Sequence, residues 1–346
     1  MKLLTDYNLA ELKELVVALG EKPFRAEQLY QAVNMGKDWE HITNLSGAFK
    51  AKLAEEYLPV GVTIVDKLTA KDGTVKYLFG LSDGNIVEGV VMKYRYGNTI
   101  CISTQVGCRM NCAFCASGLD GLVRNLTPGE MLGEVIAANV DLGGNLKDRA
   151  ITNIVLMGAG EPLDNYDNVA KFLRLVNAPE GLNISLRNIS LSTCGLIPGV
   201  DRLIEDKLWV TLTFSLHAPF DEVRSSIMPV NKAYPIAQVI EAAKRYFEAS
   251  GRRVIFEYTL IKGVNDSEAC CKQLAKLTQG FPSHINVIVL NYVKERGLKG
   301  TAREQANDFV AKLNALGASA TVRRTMGADI EGACGQLRRK YIGKNA

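Results

Sequence analysis

Three cysteines stand at Cys108, Cys112 and Cys115, a C-x3-C-x2-C spacing that gathers three thiols on one short loop. A thiolate is a soft ligand suited to iron–sulfur clusters, Zn or Cu(I). All-cysteine clusters and structural Zn sites take four protein ligands, and no fourth Cys or His lies close downstream. Three ligands on a four-iron cluster would leave one iron open to a small molecule. The alternatives are a Zn ion completed by a distant Cys or His, or three unrelated buried thiols.

The other segments with chemical potential share one setting. Gly158-Ala-Gly160-Glu161-Pro162, Ser192-Thr-Cys-Gly195, Ser215-Leu216-His217, Gly263-Val-Asn265 and Asn291 each follow an apolar, β-branched run. The first lacks the third glycine of a G-x-G-x-x-G dinucleotide fingerprint. No other glycine-rich start marks a Rossmann-type methyltransferase. A Ser or Asn after a strand is by itself an ordinary cap or turn residue, so the common placement carries the signal.

The elements that must hold these segments are legible as a change of period. Residues 1–57 read as three helices: Leu9 to Leu19 at i, i+3, i+4 spacing, Pro23 to Gly36, and Ser46 to Tyr57. From Pro59 to Ile102 four strands are divided by the turn pairs Asp72-Gly73, Asp83-Gly84 and Gly97-Asn98. Glu88 interrupts one of these otherwise apolar strands. From Thr99 onward strands and helices alternate in about six β/α units with short loops, a parallel α/β pattern. In β/α barrels the chemistry sits on loops at the carboxyl ends of strands, which is where every polar segment above falls. The expected fold class is therefore α/β: a partial (β/α)6, TIM-like barrel over 98–334. A helical domain (1–57), a β-extension (58–97) and a basic tail (335–346) complete it.

Composition narrows the setting. Net charge is only +4 over 346 residues, so any nucleic-acid surface must be local. Eight cysteines could belong to a secreted disulfide protein, but the charged start lacks a signal peptide's apolar run. Reduced thiols in a cytoplasmic protein are the expectation. No stretch of about 20 apolar residues suggests a membrane span.

The cysteine spacing resembles the signature of the radical S-adenosylmethionine (radical SAM) enzymes, whose open iron holds the amino and carboxylate groups of SAM. The tail segment GADIEGACGQL, with Cys334, and Cys101, seven residues before Cys108, extend the likeness. They resemble the RlmN/Cfr group of RNA adenine methyltransferases. ICISTQVGC, FCASG, MGAGEPLDNY, SLHAPFDEVRSSIMPVNKAYP and FEYTLIKGVNDS match in register, and the likeness covers essentially the whole chain. Val106, Pro162 and the Phe256-Glu257-Tyr258 strand are more similar to the RlmN branch than to Cfr. Leu290-Asn291-Tyr292 departs from the Asn-Pro pair usual at that loop.

The resemblance implies a [4Fe-4S] cluster on Cys108, Cys112 and Cys115. It implies SAM held by Gly160 and Glu161 at its amino group, by Ser192, Ser215, Leu216 and His217 at ribose and carboxylate, and by Asn291 at adenine. It also implies a reaction. Cys334 takes a methyl group from one SAM; a second SAM, reductively cleaved, yields the radical that converts it to an S-methylene; this adds to adenine C2. Cys101 then resolves the adduct through a transient disulfide with Cys334, and Glu88 is the family's proposed general base. The implied substrates are 23S rRNA, at adenine 2503, and adenine 37 of tRNAs. The implied electron donor is of the flavodoxin type, and the enzyme is expected to be a monomer. Cfr-like methylation at C8 and a non-catalytic, Zn-stabilised RNA-binding protein are the alternatives. Arg323-Arg324, Arg338-Arg339-Lys340, Lys344, Lys93 and Arg95 are candidate phosphate contacts.

Overall fold

The computed structural model describes residues 1–330. Strand β1 (Lys2–Leu3) precedes three helices, α1 (Leu9–Ala18), α2 (Phe24–Asn34) and α3 (Gly47–Ala54). Asn8 starts α1 with a reciprocal cap: its side chain accepts from the Glu11 amide at 2.9 Å, and Glu11 accepts from the Asn8 amide at 2.7 Å. Leu12, Val16, Leu29, Val33, Phe49 and Leu53 face inward to form a core of their own. The third helix ends at Ala54, earlier than its sequence suggests, because β2 (Tyr57–Leu58) pairs in parallel with β1. The module is tied to the rest where the Asp6 carboxylate accepts from the Gly129 amide at 2.6 Å.

The extension consists of β3 (Val62–Thr69), β4 (Val75–Leu81) and β5 (Ile86–Tyr94), followed by β6 (Gly97–Ile102). After β6 comes a hairpin absent from the sequence reading, β7 (Gln105–Gly107) and β8 (Leu122–Asn125), whose loop carries the three cysteines. The cysteines thus follow a short hairpin strand, not the barrel strand itself. Then follow α4 (Pro128–Asp141), β9 (Ile151–Leu156), α5 (Tyr166–Asn177), β10 (Ile189–Thr193) and α6 (Ile197–Glu205). Next are β11 (Thr211–Ser215), α7 (Asp221–Ile227), α8 (Ile236–Ser250), β12 (Val254–Leu260), α9 (Glu268–Leu277), β13 (Ser283–Val289), α10 (Arg303–Ala315) and β14 (Ala320–Val322).

One sheet runs through the molecule in the order β14-β13-β12-β11-β10-β9-β6-β5-β4-β3. β6 is its hinge, antiparallel to β5 and parallel to β9. From β6 to β14 the strands are parallel, and β14 and β3 remain separate edges, so the barrel is partial. The strand period of two gives the sheet two characters. Ile100, Ile154, Leu191, Leu212, Phe214 and Phe256 are buried in the core shared with the helices. The opposite, inner face carries Cys101, Val155 and Ser190 on one rung and Ser215, Glu257 and Asn286 on another.

Beyond β14 the chain crosses from one sheet edge toward the other. Arg323 pairs with Glu257 at 3.1 Å, and Met326 packs against Val90, Met92 and Cys101. The Gly327 amide donates to Asp72 at 2.9 Å and the Lys71 amide donates to Asp329 at 3.1 Å, a reciprocal clasp with the β3–β4 turn. Cys334 and the cations Arg338, Arg339, Lys340 and Lys344 lie outside the described residues.

Candidate active site

The cysteine loop is pinned from several sides. Gly107 takes φ +81°, and a Cβ there would stand 2.0 Å from the Gly121 carbonyl, so only glycine lets the hairpin close. The Cys108 amide donates to Gly121 O at 2.9 Å and the Ala113 amide to Ile227 O at 2.8 Å. Arg296 donates to Cys115 O at 3.1 Å and to Asn111 Oδ1 at 3.0 Å. Phe114, between the second and third cysteines, meets the His217 ring edge-on at 4.7 Å. The thiols are neighbours whose charges oppose one another. Burial chiefly pushes Cys108 up to about 11, with Cys115 and Glu161 adding to the shift, and raises Cys112 further. Thiolates here therefore need a positively charged partner. Among the described residues, no three Cys, His, Asp or Glu side chains converge as they would round a single metal ion.

The glycine-rich loop after β9 presses against the chain leaving β6. A Cβ on Gly158 would lie 2.6 Å from Ile102 O, and one on Gly160, at φ +105°, 2.7 Å from both Thr104 Oγ1 and Gln105 Cβ. The buried Glu161 carboxylate accepts from the Leu163 amide at 3.0 Å and the Cys194 amide at 2.7 Å. It thereby joins the exits of β9 and β10, and its own burial raises its pKa. Ser192 and Ser215 are half-buried on adjacent strands with hydroxyls 3.3 Å apart. His217, at φ +55°, accepts on Nδ1 from the Thr259 amide at 3.0 Å, which leaves the proton on Nε2. Burial first, and then the Arg224 charge, depress it to about 3, so the ring is neutral. Leu216 is fully buried, and Asn291 is exposed beyond the end of β13.

Arg224 is a part of this frame that sequence reasoning missed. Fully buried, it donates to the carbonyls of Cys194, Ser215, Leu216 and Tyr234 and to Asn231 Oδ1, at 2.7–3.2 Å. It ties the exits of β10 and β11 together.

The inner face of the extension holds the other candidates. Val90 pairs with Cys101, Lys76 with Val90 and Leu78 with Glu88, so Lys76, Glu88 and Cys101 share one face. Glu88 and Cys101 are both 6% exposed, and Lys76, fully buried, stands 3.3 Å from the Glu88 carboxylate. Glu88 is therefore no outward-facing strand residue. Lys76 was also missed, although a lysine inside an apolar strand one turn away from an equally misplaced glutamate was a readable pair. No disulfide joins any two of the seven described cysteines.

This geometry meets the comparisons with known proteins. The radical SAM superfamily model matches residues 102–270, and the model for the ribosomal RNA large subunit methyltransferase N-terminal domain matches residues 3–58. A probable dual-specificity RNA methyltransferase RlmN from Clostridium perfringens (strain SM101 / Type A) is 49% identical over 346 residues, covering 99% of this chain and 98% of the relative. This chain belongs to the RlmN family. A namesake from Thermoanaerobacter sp. (strain X514) is 47% identical over 98% of both chains. A radical SAM methyltransferase from Sphaerobacter thermophilus, solved by crystallography, superposes with a TM-score of 0.92 at 42% identity, over 97% of this chain and 99% of that one.

The RlmN-family chain is thus a radical SAM RNA methyltransferase on a radical SAM fold, and its cofactors are a [4Fe-4S] cluster and SAM. The site suits both. Three neighbouring thiols on a pinned loop match a cluster with one iron left open. The Gly158–Gly160 loop has no room for side chains on its packed side, and the paired serine hydroxyls stand next to it in the sheet order. No helix among the described residues is long and apolar enough to cross a membrane.

Proposed function

We propose that this enzyme makes 2-methyladenosine, at adenine 2503 of 23S rRNA and adenine 37 of tRNAs, with the methyl carried on Cys334. The observation that carries the reading is Cys101: a buried thiol on the inner face beside Glu88, against which Met326, eight residues before Cys334, is packed. When bound, the cluster and SAM supply a methyl donor and a one-electron route to a carbon radical, chemistry that no side chain provides. Cys108, Cys112 and Cys115 hold the cluster. Gly160, Glu161, Ser192, Ser215, Leu216, His217 and Asn291 surround SAM, with the neutral His217 offering its Nε2 proton.

Cys334 is the nucleophile that carries carbon to the base. Glu88 takes the proton from C2. Cys101 then bonds to the sulfur of Cys334 as that sulfur's bond to the methylene carbon breaks; the proton given up by the Cys101 thiol balances the one the carbon takes up to become methyl, one electron returns to the flavodoxin-type couple, and a disulfide is left for an external thiol to reduce. The adenine must leave its stack to reach this face. The helical module (1–57), the extension (58–97) and the tail (335–346) flank the barrel (98–334) as RNA-docking parts, with Lys93, Arg95 and Arg324 meeting phosphates, while Arg323 is held by Glu257. The enzyme works as a cytoplasmic monomer supplied with electrons by a flavodoxin-type donor.

The test has two arms. Adenosines from ribosomal RNA and tRNA of cells with and without the protein should differ by 2-methyladenosine on mass analysis; 8-methyladenosine instead would overturn the C2 assignment. Cys101→Ala, purified from such cells, should carry covalently bound RNA that denaturant does not remove, and Cys101→Ala/Cys334→Ala should carry none. Normal turnover by Cys101→Ala, free of RNA, would remove Cys101 from the mechanism.

A further inference from the structure

The inner face that holds Cys101 continues toward the amino-terminal end of β6 as an unassigned surface. On β5 the inward residues after Glu88 are Val90, Met92 and Tyr94; on β6 Thr99 lies opposite Met92, and Gly97 opposite Tyr94. Val90, Met92, Cys101 and Tyr94 form one apolar cluster. It ends in a two-residue turn, Arg95-Tyr96, where the Tyr96 ring stacks on Tyr94 with centroids 5.0 Å apart and planes 6° from parallel. Tyr94 is half-buried, while Tyr96 is 69% exposed.

Three features distinguish this stack from an incidental surface pair. It is rigid: a Cβ on Gly97, at φ +128°, would stand 2.1 Å from Thr152 Oγ1, so the turn is seated against the start of β9. Thr152 Oγ1 and the Ala150 carbonyl further hold Asn98. Second, the Thr99 hydroxyl, 5% exposed and on the same face, lies close enough to the Tyr96 phenol to oppose the upward shift that burial gives it, so the exposed ring is held from beneath. Third, Lys93 and Arg95 are exposed on either side of Tyr94, and Lys93 lies over the β3–β4 turn with exposed Lys71. The acid of that turn, Asp72, is already engaged by the amides of Gly327 and Thr74.

We propose that the Tyr94–Tyr96 stack is a nucleobase-stacking subsite that receives an unpaired base next to the target adenosine, with Lys93 and Arg95 meeting the adjoining phosphates. Every base presents a π-face, so exposed aromatic rings flanked by cations are how single-stranded RNA is held without strict sequence demand. From Val90, the rung of Cys101, to Tyr94 is four residues of strand, about 13 Å, within reach of a neighbouring nucleotide when the target adenine lies at Cys101. The subsite rests on the RNA reading given above and deepens it.

The experiment measures affinity for an RNA stem-loop with one unpaired adenosine, using the intact chain. The loop is made in normal form and with abasic nucleotides flanking that adenosine. Tyr96→Ala should weaken binding of the normal loop by about tenfold or more, and Tyr96→Phe, which keeps the ring, should restore it. The abasic loop should bind the native chain as weakly as Tyr96→Ala binds the normal one, with no further loss when the two changes are combined. If Tyr96→Ala binds the normal loop as the native chain does, or if both chains lose equally on the abasic loop, there is no stacking subsite. If the native chain binds neither loop, the RNA reading fails instead.

Discussion

The two halves of the site solve opposite problems with the same kind of residue. At the carboxyl end of the barrel, the carboxylate of Glu161 accepts from two backbone amides and the guanidinium of Arg224 donates to four carbonyls and one side chain. These charges are spent on the main chain and hold loops in place. On the inner face of β4 to β6, by contrast, the charges of Lys76 and Glu88 face each other beside a thiol. Buried ion pairs are weak sources of stability, so the pair suits the proton-transfer role proposed for Glu88 better than a role in the scaffold. The frame uses groups bonded to the main chain, whereas the inner face sets two opposite charges against each other.

The largest effect that would sharpen the contrast is functional and leaves the fold standing. Cys108→Ala, Cys112→Ala or Cys115→Ala should abolish iron loading, read as lost absorbance near 400 nm, and SAM cleavage, with thermal unfolding close to that of the iron-free native chain. Full reductive SAM cleavage by any of the three would break the assignment. Next in size is Arg224→Met, which strands four carbonyls in the interior. It should lower stability by about 3–5 kcal/mol in denaturant titration; a loss under about 1 kcal/mol would show that the loops hold without it.

The smallest net change in stability is expected when the ion pair is removed whole. Lys76→Met removes the ammonium that faces the buried Glu88 carboxylate and should cost about 3–5 kcal/mol. Lys76→Met/Glu88→Gln should recover most of that, to within about 1 kcal/mol of native, while losing RNA methylation. A double variant as unstable as the single one would make the pair scaffold after all, and the contrast would fall.

Much of this was legible in the chain itself because its chemistry repeats with the strand–helix period. A polar, glycine-rich segment after each apolar run located one end of a barrel, and Cys108, Glu161, Ser192, Ser215 and His217 all stand there. What stayed hidden depends on pairs distant in sequence. Arg224 reads as one more cation on an amphipathic turn; its burial follows only once the exits of β10 and β11 converge on it. Lys76 and Glu88 become a pair only through the β4–β5 register. The β7–β8 hairpin escaped because strands of three and four residues leave no period to detect. β11 starts at Thr211, three residues later than its apolar run suggests, because Leu208–Val210 close on themselves in a tight turn. Cys334 lies outside the described residues, and its role rests on the resemblance.

The clasp between the β3–β4 turn and the tail joins residues 255 and 258 positions apart. In a chain made from one end to the other, Asp72 emerges early and must wait for nearly the whole barrel before Gly327 exists to meet it. Closing so long a loop is entropically affordable only after the intervening strands and helices have folded and brought the two edges near. The chain from Met326 to Asp329 is consequently among the last to dock, and the inner face with Cys101 stays open to its surroundings through most of the molecule's assembly.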